Sequence, residues 1–130
     1  MSNGAILVLL QQAQGRLHPV SMEAAAAARE LASQSNRNAS GILLTDEWNT
    51  SLEQQIKSCG LDAVYVCRSA SFDSFIAEEQ ATVLVQFVRE LYPDILLAGA
   101  TPEGRALAAI VAATLKTGVT ADCTALSFRT

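Results

Sequence analysis

Pro93-Asp94-Ile95-Leu96-Leu97-Ala98-Gly99-Ala100-Thr101-Pro102-Glu103-Gly104-Arg105, followed by an alanine-rich run to Lys116-Thr117-Gly118, reads as a buried strand, a tight turn and a helix. Pro93 closes whatever precedes it, and Ile95 to Ala98 form a short apolar run. Thr101 supplies an N-cap oxygen, and Pro102 a first helical residue that needs no N–H donor. Leu107, Ile110, Val111 and Leu115 then recur at helical spacing, while Ala106, Ala108, Ala109, Ala112 and Ala113 keep the helix thin enough to lie close on a sheet. Gly118 is the expected stop.

The same alternation runs back through the chain. Ala5 to Leu10 is a continuous apolar run, as in a central parallel strand covered on both faces. A polar loop from Gln11 to Pro19 leads to Ser21, the expected N-cap of an alanine-rich helix over Met22 to Ser35. After a solvated turn, Gly41 to Thr45 repeats the buried-strand signature, and Asp46 to Asn49 is a loop. Thr50-Ser51-Leu52-Glu53 matches a capping box, which starts a short helix near Ser51 and runs to Gly60. Ala63 to Cys67 is the third strand and Arg68 to Asp73 a polar connection. From about Ser74, Ala77, Val83, Leu84, Phe87, Val88 and Leu91 mark an amphipathic helix ended by Tyr92-Pro93, and Val119 to Arg129 forms a fifth strand. Strands alternating with helices give parallel pairing and right-handed crossovers, hence a three-layer α/β/α sandwich on a mainly parallel twisted sheet.

With 130 residues, half of them hydrophobic, the chain has the length of one domain and needs neither metal nor disulfide to build a core. The formal net charge is −4 and the nine Lys and Arg are scattered, so neither nucleic acid nor an anionic membrane is an expected partner. The apolar runs are too short to span a bilayer and the start lacks a basic signal region, so a cytoplasmic protein is expected. Three separated cysteines, Cys59, Cys67 and Cys123, suit a reducing compartment and core packing. With only His18 to join them, no metal site is expected.

A ligand in such a sheet sits beyond the carboxyl ends of the strands, which selects the loops Gln11 to Gly15, Thr45 to Trp48, Arg68 to Asp73 and Gly99 to Arg105, with Gln11, Thr45, Arg68 and Thr101 as the contacts of a nucleotide-binding alternative. The loop Gly99 to Arg105 has glycines at the outer spacing of a phosphate loop, but Arg105-Ala106 stands where Lys and Ser or Thr belong. Pro102 withdraws an N–H and Glu103 repels a phosphate, so the expected role is a turn that lays the helix close on the sheet. His18 reads as a residue fixing a turn, Asp46-Glu47 as loop solvation, and Arg105 as an ion-pair partner of Asp122, Glu103 or another protein. Trp48 suits either an interface or burial against its own helix. No residue is expected to be catalytic.

The segment Pro93 to Thr101, then Gly104-Arg105, then Thr117 to Leu126 with its Ala121-Asp122-Cys123-Thr124, resembles the N-terminal domain of the electron transfer flavoprotein alpha subunit. Gly15-Arg16-Leu17-His18-Pro19-Val20-Ser21, Ala28 to Ala32, and Gly60 to Val66 match in order and spacing. The resemblance implies a fold like that of the adenine nucleotide alpha hydrolases. It also implies that the FAD-binding domain is absent from this chain, and that the chain ends before the last strands of the first domain. The expected partners are that flavin domain, an electron transfer flavoprotein beta subunit, which often holds AMP, and indirectly the dehydrogenases that donate electrons. FAD is expected in the complete protein and no cofactor in this chain. Leu107-Ala108-Ala109-Ile110 departs from the family's Leu-Ala-Pro-Arg pattern, so no interface arginine is carried over. The alternatives are a stand-alone nucleotide-binding or nucleotide-hydrolysing domain and an assembly module without redox work.

Overall fold

The computed structural model describes residues 5–115 in full, together with the backbone of 118–120 and 125–127. The parallel part of the sheet comprises β1 (Ile6–Leu10), β4 (Ala39–Thr45), β5 (Ala63–Arg68) and β6 (Ile95–Ala98). Between β1 and β4 lie a two-residue ladder, β2 (Gln12–Ala13) and β3 (Arg16–Leu17), and helix α1 (Pro19–Ser35). Helix α2 (Thr50–Ser58) joins β4 to β5, α3 (Ala77–Leu91) joins β5 to β6, and α4 (Pro102–Leu115) precedes β7 (Gly118–Thr120) and β8 (Ala125–Ser127). The strand order is β5-β4-β1-β6-β8-β7.

Because β1 is central, its five residues are all buried, and the pleat sends alternate side chains into two separate cores. Leu7 and Leu9 join Ile42, Leu96 and Ala98 under α3 and α4, which contribute Leu84, Val88, Leu107 and Val111. Ile6, Val8 and Leu10 join Leu43 and Leu97 under α1 and α2, which contribute Ala25, Ala28, Leu52 and Ile56. Alanine on the inner face of α1 lets that helix approach β1 closely. The chain is therefore the three-layer α/β/α sandwich that its strand–helix alternation predicts.

Four local expectations are corrected. His18, not Ser21, caps α1: Pro19 at the first helical position starts the helix three residues early, and the His18 Nδ1 accepts from the Val20 N–H at 3.1 Å. Asn49, not Thr50, caps α2, because its extended backbone lets Oδ1 accept from the Leu52 N–H at 2.7 Å. Helix α3 starts at Ala77 rather than near Ser74, after a 3₁₀ turn over Ala70–Asp73 that buries Phe72. The expected final strand is two short ones, with β8 antiparallel to both β6 and β7. Helix α4 ends at Leu115, and Lys116 and Thr117 lie outside the described residues, as do Asp122 and Cys123.

Candidate functional site

The carboxyl ends of β1, β4, β5 and β6 place the four candidate contacts differently. Gln11, just after β1, and Thr101, at the start of α4, come together: the Thr101 hydroxyl donates to Gln11 Oε1 at 3.0 Å and accepts from the Gly104 N–H at 2.9 Å. Gln11 is held in turn by α1, since its N–H donates to the Ser21 hydroxyl at 2.7 Å and its carbonyl accepts from the His18 N–H. Ser21, buried, thus ties a strand end to a helix instead of capping that helix. Thr45 is buried and spends its hydroxyl on its own turn, donating to the Glu47 carbonyl and accepting from the Glu47 N–H. Arg68 is exposed at the outer edge of the sheet. Neither Thr45 nor Arg68 lines the cleft that Gln11 and Thr101 share.

That cleft, about 440 Å³, has an apolar floor from Leu44, Phe72 and Leu107. Its rim carries four carboxylates, Asp46 and Glu47 from the β4–α2 loop, Asp73 from the 3₁₀ turn and Glu103 from the first turn of α4, and no Lys or Arg. Asp46 accepts from the Gln12 side chain at 3.3 Å, and Gln12 in turn accepts from the Gly15 N–H, so the β2–β3 ladder is fixed against the β4 loop. No Lys or Arg among the described residues pairs with any of the four carboxylates. The field in this cleft is negative and opposes a phosphate.

The glycines of the β6–α4 loop serve close packing. A Cβ on Gly99 would lie 1.8 Å from Val20 Cγ1, and one on Gly104 would lie 2.4 Å from the Gly99 carbonyl oxygen. The loop therefore brings α1 and α4 down onto the end of β6. The Gly104 N–H is taken by the Thr101 hydroxyl and the Arg105 N–H by the Thr101 carbonyl, and Pro102 has none.

Gln80 is a cleft residue outside every loop the sequence reading selected, and Phe72 lies in the selected Arg68 to Asp73 loop without having been singled out. Gln80 left a signal: it occupies the apolar stripe formed by Ala77, Ala81, Leu84 and Val88 on α3, where a polar side chain is out of place. Phe72 left little, being a lone aromatic in a run of Ser, Ala and Asp. Trp48 is half-buried against the α1–α2 core. Cys59 belongs to that core and Cys67 packs against the other, so the sheet separates the two thiols. Burial pushes the Cys59 thiol above its ordinary pKa, and Arg29 partly opposes this. Among the described residues no group of His, Cys, Asp and Glu could hold a metal ion, and no helix is long and apolar enough to cross a membrane.

The electron transfer flavoprotein domain model matches residues 6–130. The chain belongs to the electron transfer flavoprotein domain family. Within that family it is similar to the lactate dehydrogenase (NAD(+),ferredoxin) subunit LctC of Acetobacterium woodii, at 36% identity over 95% of this chain and 29% of that protein. It is similar also to the protein FixB of Azorhizobium caulinodans, at 38% identity over 93% of this chain and 33% of the relative. The electron transfer flavoprotein subunit alpha of Thermoanaerobacterium thermosaccharolyticum is 34% identical over 93% and 36% of the two chains. The chain thus spans about a third of the length of these relatives. A solved protein of the universal stress protein family from Burkholderia pseudomallei superposes with a TM-score of 0.49 at 14% identity, covering 91% of each chain.

Proposed function

We propose that this chain is the N-terminal scaffold and subunit-interface domain of an electron transfer flavoprotein alpha subunit. In the complete protein, a further domain carries FAD and a beta subunit completes the electron carrier that serves dehydrogenases. The observation that carries this reading is the family match along residues 6–130 of a chain one third as long as its relatives. The flavin supplies the electron chemistry when bound by that further domain. This chain's contribution is rigidity: two cores lock β1, and the Gln11–Thr101–Gly104 bonds lock the loop ends. The cleft carboxylates weigh against a nucleotide-binding role, because they leave no cation to meet a phosphate.

Co-expression of the complete alpha subunit with a beta subunit of the same family tests the reading. The expected result is a one-to-one complex on gel filtration that carries flavin. Saturable binding of AMP by this chain, with no retention of a beta subunit, would overturn it in favour of a nucleotide-binding module.

A further inference from the structure

The cleft at the carboxyl ends of the strands holds a side chain that the fold leaves without a partner. Gln80 is only 9% exposed, yet its amide makes no hydrogen bond among the described residues. Since no fully buried side-chain nitrogen or oxygen among the described residues lacks a partner, that amide keeps its residual access, and the space it faces is the cleft it lines. A glutamine buried in an apolar stripe costs stability unless something meets it. In the same cleft, Asp46 and Glu47 of the β4–α2 loop, Asp73 of the 3₁₀ turn and Glu103 of the first turn of α4 bring negative charge with no opposing Lys or Arg, and Phe72 and Leu107 supply apolar surface.

We propose that this cleft binds an aliphatic amine with two or more ammonium groups, the Gln80 amide oxygen and the rim carboxylates accepting its N–H donors. Three features select that chemistry. The negative rim excludes phosphates and carboxylic acids. The carboxylates are too dispersed to gather around one metal ion, so they match charges spaced along a chain and not a single centre. The apolar floor suits methylene segments between those charges. At about 440 Å³ the cleft has the size of a small-molecule site. This inference goes beyond the scaffold role and stands or falls separately from it.

The test is a titration of the 15N-labelled 130-residue chain with spermidine at low salt, followed by amide chemical shifts, with magnesium and AMP titrated in parallel. The expected result is saturable shifts confined to the cleft, at Gln12, Asp46, Glu47, Asp73, Gln80 and the Thr101–Gly104 turn. Gln80→Leu, a change toward the surrounding apolar stripe, is expected to weaken binding about fivefold to tenfold. Asp73→Asn with Glu103→Gln, both exposed and remote from the cores, is expected to weaken it about tenfold or more while leaving the remaining spectrum intact. Unsaturated shifts scattered over the acidic surface would overturn the proposal. So would equal shifts with magnesium, saturation of the same resonances by AMP alone, or unchanged spermidine binding in folded variants.

Discussion

Gly104→Ala sets helix propensity against packing, and the two predict opposite signs. Gly104 lies in the first turn of α4, where replacing glycine by alanine would by itself stabilise a helix by about 0.8–1 kcal/mol. The added Cβ would meet the Gly99 carbonyl oxygen at 2.4 Å and Thr101 Oγ1 at 3.1 Å. The first of these is backbone and cannot rotate away, so to reach 3.0 Å the start of α4 must lift by about 0.6 Å. Such overpacking costs about 1–3 kcal/mol, and loosening the Thr101 cap adds up to about 1 kcal/mol. The net expectation is a loss of about 0–3 kcal/mol, or up to roughly 11 °C in Tm for a chain of this length. Urea and thermal unfolding followed by circular dichroism measure it. Ala109→Gly, at an exposed position of the same helix, is the control and is expected to cost only the propensity difference of about 1 kcal/mol. A raised midpoint for Gly104→Ala would refute the packing role of the β6–α4 loop.

Leu96→Ala, which empties a fully buried position of β6 between β1 and the α3–α4 layer, is expected to cost about 2–5 kcal/mol in the same unfolding assay. Arg37→Gln removes a 2.7 Å ion pair to Asp94 that joins the end of α1 to the start of β6. With both side chains mostly covered, a loss of about 1–2 kcal/mol is expected, reduced little by 0.5 M salt. The Cys59 thiol, held above its ordinary pKa by burial, stays protonated longer in the folded chain than in the unfolded one. Its contribution is therefore full below the ordinary thiol pKa and is lost as pH rises through it toward the raised folded value. Unfolding midpoints measured from neutral to alkaline pH should fall more steeply for the wild type than for Cys59→Ala.

The layered architecture was legible because it rests on periodicity: apolar runs at β1, β4 and β6 and a 3.6-residue stripe on α3 admit few other arrangements. Thr101 was legible as a cap because Pro102 follows it, with no competing cap residue close by. Where two cap-forming residues compete, local chemistry does not decide. Asn49 wins over Thr50 through backbone geometry, and Ser21 is diverted to Gln11 by tertiary contact. The two-residue β2–β3 ladder has too few residues to show alternation. Gln11 and Thr101 meet across 90 positions of sequence, and the general rule for α/β sheets pointed at both without revealing their hydrogen bond. The acidic rim of the cleft was harder to see, since Asp46, Asp73 and Glu103 become neighbours only through topology.

The intact mass and flavin content of the native protein, purified with whatever accompanies it, test the central claim most directly. The account predicts a polypeptide about three times as long as this chain, isolated with a beta subunit and carrying FAD. A 130-residue species isolated without flavin and without a companion subunit would contradict it.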